Sequence, residues 1–119
     1  MWRDDAWVLD MLQASRKALA FSAGLDEAAF YSNELVQSAV VRQLTIVGEA
    51  AKRVSPEFRA AHTDVPWKRI AGFRDVVVHD YFRVDPKQVW EIVRNDLANL
   101  IAELEKLVPP DPDPPKGQP

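Results

Sequence analysis

The chain of 119 residues contains no cysteine, two histidines and four glycines. Because cysteine is absent, disulfides, thiol nucleophiles and thiolate metal sites are all excluded. The glycines are isolated from one another, so the sequence has no glycine-rich loop of the kind that cradles a phosphate. Any chemistry must therefore come from histidine, arginine and carboxylate side chains.

The sequence also has no apolar run that approaches the roughly 20 residues of a membrane span. Its first five residues, Met-Trp-Arg-Asp-Asp, do not show the basic and then apolar layout of a signal peptide. We therefore expect a cytoplasmic protein with no membrane contact. Hydrophobic residues make up 47% of the chain and charged residues 28%, and both values are ordinary for a single globular domain.

Charge of neither sign dominates, and the net charge of −3 argues against a protein that coats nucleic acid without sequence preference. The charges are nevertheless unevenly spread. Residues 38–94 carry ten Lys/Arg against seven Asp/Glu, whereas residues 1–37 carry three against six and residues 95–119 carry two against five. The basic share lies in the middle of the chain, although three net charges would fit solvent-exposed helix faces equally well.

Apolar residues recur at the helical spacing of three and four along most of the chain. The clearest stripe lies on a helix predicted over residues 33–54 and consists of Val36, Val40, Leu44, Val47, Ala51 and Val54. A second stripe lies on a helix predicted over residues 86–107 and consists of Val89, Val93, Leu97, Leu100, Leu104 and Leu107. Further helices are predicted over residues 4–22, with Leu19 in the apolar stripe, and near residues 26–31.

Proline placement divides the chain. Three of the nine prolines, Pro56, Pro66 and Pro86, stand where a helix should begin, and the other six fall in the last eleven residues. The segment 109–119 is proline-rich and polar, and we expect it to be extended or disordered because it cannot pack. The sequence therefore predicts a helical domain over residues 1–108 and a disordered tail over residues 109–119.

The segment 70–84 holds most of the candidate chemistry. Its eight consecutive positions 74–81 include Arg74, Asp75, His79, Asp80 and Tyr81. Its three consecutive valines, residues 76–78, would suit a strand. No second strand candidate is apparent, and a lone strand would leave backbone groups unpaired, so a helix from residue 66 to about residue 79 is favoured. The predicted fold is then an all-α bundle with two long helices and several shorter ones.

On an ideal helix, Ile70, Phe73 and Val77 would form the buried stripe, and His79 would lie about 140° from Arg74. One straight helix cannot aim both of these side chains at one point. Two explanations remain open. Either the helix loosens near His79, or the site is assembled from two copies of the segment that face each other in a dimer, which would also bury more surface.

Each candidate residue also has an ordinary structural explanation. Arg74 could pair with a nearby aspartate, His79 could cap a helix end, and Tyr81 could be a half-buried aromatic residue. No metal site is predicted, because a centre built on His79 and Asp80 would need further ligands and only His62, expected at the surface, remains.

The run Arg74-Asp75-Val76-Val77-Val78-His79-Asp80-Tyr81 matches the Arg-x4-His-x-Tyr motif of HepT-like toxins in the HEPN ribonuclease superfamily. Further similarity lies in residues 46–53, in the Val-Pro-Trp run at residues 65–67, and in the His-Asp-Tyr-Phe run that precedes Asp85-Pro86. The chain resembles this family over roughly residues 5–107, and the proline-rich tail falls outside the resemblance.

The resemblance implies a HEPN-type helical bundle that works as a homodimer and as a metal-independent endoribonuclease without a cofactor. It implies that Arg74 and His79 are catalytic in a cleft between protomers, with Asp75 in a supporting role. It further implies the toxin of a type VII toxin–antitoxin system, whose MntA-type nucleotidyltransferase antitoxin attaches AMP to Tyr81.

These residue types suit the implied chemistry. RNA cleavage without a metal uses the 2′-OH as nucleophile, so it needs a proton donor or acceptor near neutral pH and a cation for the developing phosphorane charge. His79 suits the first task, and the forked donors of Arg74 suit the second. Dependence on the 2′-OH would restrict the substrate to RNA and exclude DNA. The alternative is a non-catalytic HEPN binding module that partners a nucleotidyltransferase.

Overall fold

The structure, a computed structural model, describes the backbone of residues 2–80 and 83–108 and the side chains of residues 3–77 and 83–108. This part of the chain forms helices α1 (Trp2–Ser22), α2 (Glu27–Tyr31), α3 (Glu34–Arg53), α4 (Pro56–Ala61), α5 (Trp67–Ala71), α6 (Phe73–Val77), α7 (Pro86–Asn95) and α8 (Leu97–Glu105). Two short strands, β1 (Val78–Asp80) and β2 (Arg83–Val84), lie between α6 and α7. The predicted all-α bundle is confirmed, with this hairpin as its one addition in the described part.

Side-chain caps explain where several helices begin. The side chain of Asn33 accepts a hydrogen bond from the backbone N–H of Val36 at 3.0 Å, and that of Asp85 accepts from Gln88 at 3.3 Å. Each cap satisfies a backbone donor that the first helical turn leaves without a partner. Gly24 follows α1 with φ of +82°, a left-handed backbone conformation that residues with a Cβ rarely adopt.

The core lies where α1 packs against α3 and α8. The start of α1 meets the end of α3, because Asp4 accepts hydrogen bonds from the backbone N–H of Ser55 at 2.8 Å and from its hydroxyl at 2.7 Å. The predicted stripe of α3 is confirmed, since Val40, Leu44 and Val47 are fully buried. In the stripe predicted for α1, Leu19 is the exception because 37% of it is exposed.

The last long helix is divided. Residues 86–107 were predicted as one helix, but Asp96, with φ of −110°, interrupts it between α7 and α8, although its N–H still donates to the carbonyl oxygen of Ile92 at 2.9 Å. Asn95 and Asp96 have low helix propensity, and the Asp96 carboxylate is engaged by Arg69 of α5. The apolar stripe still continues across the break, since Val93, Leu97 and Leu100 are all buried.

The prediction of one helix from residue 66 to about residue 79 is wrong. Gly72 separates α5 from α6, and the chain passes into strand β1 at Val78. The antiparallel partner β2 is only two residues long, with Val78 opposite Val84 and Asp80 opposite Arg83. So short a strand carries no apolar alternation that a sequence pattern could reveal. Of the three valines, only Val78 lies in the strand, while Val76 and Val77 end α6.

No helix in the described part of the chain is both long enough and apolar enough to cross a membrane. The prediction of a disordered tail concerns residues 109–119, which lie outside the described residues.

Candidate active site

Helix α3 sets the position of α5 through a glycine. A Cβ atom on Gly48 would lie 3.1 Å from the carbonyl oxygen of Ile70 and 3.4 Å from that of Ala71. The two backbones can approach this closely only because Gly48 has no side chain. The glycine therefore fixes the C-terminal end of α5, one residue before the break from which α6 begins.

An ion pair holds the same segment to the other side of the bundle. Arg69 of α5 donates from Nε to one carboxylate oxygen of Asp96 and from Nη2 to the other, both at 2.7 Å. The hydrogen bonds to Asp96 raise the pKa of Arg69 above its ordinary value. This two-point contact ties α5 to the junction of α7 and α8 and fixes its orientation as well as its distance.

Trp67 opens α5 and is fixed by its own contacts. Its indole Nε1–H donates to the carbonyl oxygen of His62 at 2.9 Å, and its ring meets the ring of Phe58 edge-on at 6.2 Å. His62, which was expected at the surface, is half-buried instead, with its ring 4.3 Å from that of Phe58. The Val-Pro-Trp run therefore anchors the loop between α4 and α5.

Helix α6 presents its polar residues to solvent. Phe73 and Val77 are fully buried, as predicted, while Arg74 and Asp75 are exposed. Arg74 forms no salt bridge with any carboxylate whose side chain the structure describes, in contrast to Arg69 with Asp96. Within that part of the chain, the ordinary explanation of Arg74 as a surface ion-pair partner finds no support.

The helix ends between Arg74 and His79. The backbone of His79 lies in β1, and the hairpin is closed at its base by the N–H of Asp85, which donates to the carbonyl oxygen of Val77 at 2.6 Å. Of the two explanations left open for the angle between Arg74 and His79, the loosening of the helix is therefore observed. The side chain of His79 and the whole of Tyr81 lie outside the described residues.

Comparison with known proteins supports a family assignment. The model of the family described as ribonuclease HepT-like matches residues 11–107. The chain belongs to the HepT-like ribonuclease family. The predicted resemblance is thereby confirmed, and membership classes the chain as an RNA-cleaving enzyme.

Relatives of the HepT-like chain agree with this assignment. A protein of Methanocaldococcus jannaschii named "Putative RNase MJ1380" is 33% identical over 100 residues, which cover 84% of this chain and 92% of the relative. One of Thermococcus cleftensis named "Probable ribonuclease HepT" is 38% identical over 78 residues, covering 66% and 71% of the two chains. One of Caldanaerobacter subterraneus named "Putative RNase TTE0752" is 42% identical over 85 residues, covering 71% and 76%. No solved structure matches the chain.

A groove lies beside the motif of this HepT-like protein, and the sequence pattern does not predict it. It is bordered by the loop before α5, by α5 itself and by one side of α6, and its lining consists of Thr63, Pro66, Trp67, Lys68, Arg69, Gly72 and Val76. Nothing in the periodicity of so short a helix distinguishes a groove from a core face, and the signal that was present is the exposed Lys68 next to an aromatic residue.

Proposed function

We propose that this HepT-like protein is the toxin of a type VII toxin–antitoxin system and that it cleaves RNA internally without a metal ion. Arg74 and His79 are its catalytic residues. The observation that carries the proposal is the exposed guanidinium of Arg74, which no described carboxylate neutralises, five residues before a histidine with the helix ending between them. An unpaired cation at such a place remains available to a phosphate.

The reaction follows from these two side chains. The 2′-OH of one nucleotide attacks the adjacent phosphorus, and the bond from phosphorus to the 5′-oxygen of the next nucleotide breaks. His79 transfers a proton to or from one of these oxygens. Arg74 donates two hydrogen bonds to the non-bridging oxygens as their negative charge grows. DNA lacks the attacking hydroxyl and is not a substrate.

A homodimer would complete the cleft, and the surface near the hairpin supports such an association. Leu35 of α3 is 81% exposed, and Tyr31 at the end of α2 is 40% exposed. The pKa of Tyr31 is raised by burial and by the charges of Glu27, Glu91 and Asp85. Helix α2 packs against α7, and α7 begins directly after the hairpin, so Tyr31 at the end of α2 lies on the side of the bundle where the hairpin joins α7. A second copy placed there would cover Leu35 and bring its own hairpin close.

The test of catalysis compares matched arginine variants. We expect Arg74→Ala and His79→Ala each to lower the rate of RNA cleavage by at least about 10²-fold, the usual contribution of a general acid–base or an oxyanion contact. Arg42→Ala, at an exposed arginine of α3, should retain the wild-type rate. All assays contain a chelator, and circular dichroism checks that each variant is folded.

The outcome separates two functions. Full cleavage by His79→Ala without metal would refute the catalytic assignment. A wild-type protein that binds a nucleotidyltransferase but leaves every RNA intact would favour the non-catalytic binding module instead.

Regulation acts at Tyr81 in this proposal, and Asp75 has only a supporting part. An MntA-type nucleotidyltransferase attaches AMP to the tyrosine hydroxyl, and the added bulk and negative charge obstruct the cleft and repel RNA. Co-expression with the nucleotidyltransferase should increase the intact mass by whole AMP units, and Tyr81→Phe should abolish the increase. Modification of Tyr31 in the Tyr81→Phe protein would contradict the assignment, since Tyr31 is the other of the two tyrosines.

The catalytic domain in this proposal comprises residues 1–108. The family match ends at residue 107, so the proline-rich segment 109–119 is an addition to the HepT-like domain.

A further inference from the structure

The groove beside α5 and α6 combines an apolar surface with positive charge. Pro66, Trp67 and Val76 line it with carbon atoms, and Lys68 and Arg69 contribute to the same lining. Arg69 already has a carboxylate partner, whereas Lys68 forms no salt bridge with any carboxylate whose side chain is described. The groove therefore suits a ligand with a flat apolar part beside a negative charge.

The ring of Trp67 is fixed in place by contacts within the protein. Its indole N–H donates to the carbonyl oxygen of His62 at 2.9 Å, and the ring of Phe58 meets it edge-on at 6.2 Å. Trp67 is half-buried and lines the groove, so part of its side chain remains accessible. Because the side chain is already held, it loses little conformational entropy when a ligand covers it. Stacking on such an aromatic side chain is a common way in which proteins bind an unpaired nucleobase.

The size and shape of the groove fit one nucleotide of a longer strand. Its volume is about 720 Å³, within the range of roughly 300–1,000 Å³ that is usual for small-ligand sites. It is an open groove and not an enclosed cavity. A strand can therefore enter and leave it without a break, which an enclosed cavity would not allow.

The groove and Arg74 lie on two sides of the same helical turn. The N–H of Val76 donates to the carbonyl oxygen of Gly72 at 3.2 Å, so these two groove residues are one turn apart on one side of α6. Arg74 is two residues from each and lies roughly 160–200° around the helix from them. The width of a helix with its side chains is about 10–12 Å, a distance that a short extended stretch of RNA can bridge.

Charge favours RNA as the occupant. Residues 66–77 contain the three cations Lys68, Arg69 and Arg74 and the single carboxylate Asp75. Among the described side chains, neither Lys68 nor Arg74 has a salt-bridge partner. A strand of RNA supplies a phosphate for each of these two cations as well as a base for the groove. An uncharged apolar segment of a protein would fill the groove but leave both cations without a counter-charge.

We propose that the groove binds an unpaired base of the RNA substrate, which stacks on Trp67 while neighbouring phosphates contact Lys68 and Arg74. The choice of RNA as ligand rests on the proposed ribonuclease function, but the groove is a binding site separate from the catalytic pair. A base inside a duplex is paired and stacked, so it cannot enter the groove. The protein therefore binds single-stranded RNA in preference to duplex RNA, with little preference for one base over another.

The binding test observes Trp67 in the intact protein with an RNA that cannot be cleaved. Fluorotryptophan replaces the four tryptophans, and the spectra of Trp67→Phe and Trp90→Phe assign two of the fluorine NMR signals. The probe is a single-stranded oligoadenylate in which every 2′-OH is methylated, so no hydroxyl is available for attack. We expect this probe to shift the Trp67 signal and not that of Trp90, which packs on Phe30. The same strand paired with a methylated oligouridylate should leave the Trp67 signal in place.

Matched variants measure what the groove contributes to affinity for the same probe. Trp67→Leu removes the stacking ring and should weaken binding roughly 10-fold in fluorescence anisotropy, whereas Trp67→Phe should retain most of the affinity. Trp90→Leu changes another half-buried tryptophan and should leave binding unchanged. Lys68→Glu should weaken binding more than Lys17→Glu, at an exposed lysine of α1. Circular dichroism checks that each variant is folded.

Several outcomes would overturn the proposal. A Trp67 signal that does not respond to the single strand, or that responds equally to the duplex, shows that no unpaired base enters the groove. A Trp67 signal that shifts with protein concentration in the absence of RNA, and not with the probe, assigns the groove to a second copy of the chain.

The groove and the ribonuclease function can fail separately. If the single strand shifts the Trp67 signal but the protein cleaves no RNA, the groove proposal is supported and the ribonuclease function is refuted. If the protein cleaves RNA while the Trp67 signal stays in place, the ribonuclease function is supported and the groove proposal is wrong.

Discussion

The replacement of Gly48 by valine tests the contact that positions the candidate active site. The Cβ of any residue at this position lies 3.1 Å from the carbonyl oxygen of Ile70, which is already closer than an ordinary contact. The two γ-carbons of valine would extend about 1.5 Å beyond it, into the backbone of α5. A backbone carbonyl cannot rotate away as a flexible side chain can, so α5 must move.

The size of the effect follows from two opposing contributions. Overpacking in a buried site costs about 1–3 kcal/mol. Valine has a better helix propensity than glycine, which returns roughly 0.4 kcal/mol. The net loss of unfolding free energy is then about 0.6–2.6 kcal/mol. With a urea m-value on the order of 2 kcal/mol/M, the midpoint of unfolding should fall by about 0.3–1.3 M.

The assay is urea denaturation followed by far-ultraviolet circular dichroism, at one protein concentration because any dimerisation makes stability depend on concentration. Ser38→Val, at an exposed position of the same helix, introduces the same side chain without the contact and should change the midpoint little. If Gly48→Val unfolds at the same urea concentration as Ser38→Val, the close approach of α3 and α5 does not position the segment.

Two further predictions concern assembly and pH. Leu35 is 81% exposed, and its replacement by aspartate should convert the proposed dimer to a monomer, as measured by light scattering after size exclusion. Ala60→Asp, at an exposed position of α4, should leave the dimer intact. A dimeric Leu35→Asp protein would place the interface elsewhere. Hydrogen bonds from the backbone N–H and then the hydroxyl of Ser55 lower the pKa of Asp4. The ionised Asp4 carboxylate therefore stabilises the fold fully above the ordinary aspartate pKa of about 3.9. This stabilisation is lost as the pH falls through the lower pKa of the folded state. The melting temperature of Asp4→Asn should therefore lie below that of wild type at pH 7, and the difference should shrink below about pH 4. A difference in melting temperature that persists unchanged in acid would refute this account. Asp5→Asn, at an exposed position, is the control.

The amino-acid sequence alone determined those features that depend on residues close together in the chain. The apolar stripe of Val40, Leu44 and Val47 specifies a helix and its buried face, because the period of a helix is local. The caps at Asn33 and Asp85 specify where helices begin, since each cap binds a backbone N–H three residues on. The motif from Arg74 to Tyr81 is likewise a local pattern, and it indicated the ribonuclease family that the comparisons confirm.

The tertiary structure decided whatever depends on residues far apart in the chain. The break at Asp96 accompanies an ion pair with an arginine 27 residues earlier, and Gly48 lets α5 lie within contact of α3. The hairpin needed a partner strand of two residues, too short to have a period. The carboxylates that lie near Arg74 are likewise decided by the folded chain and not by the local sequence. Periodicity records which face of an element is buried, but it does not record which other element covers that face.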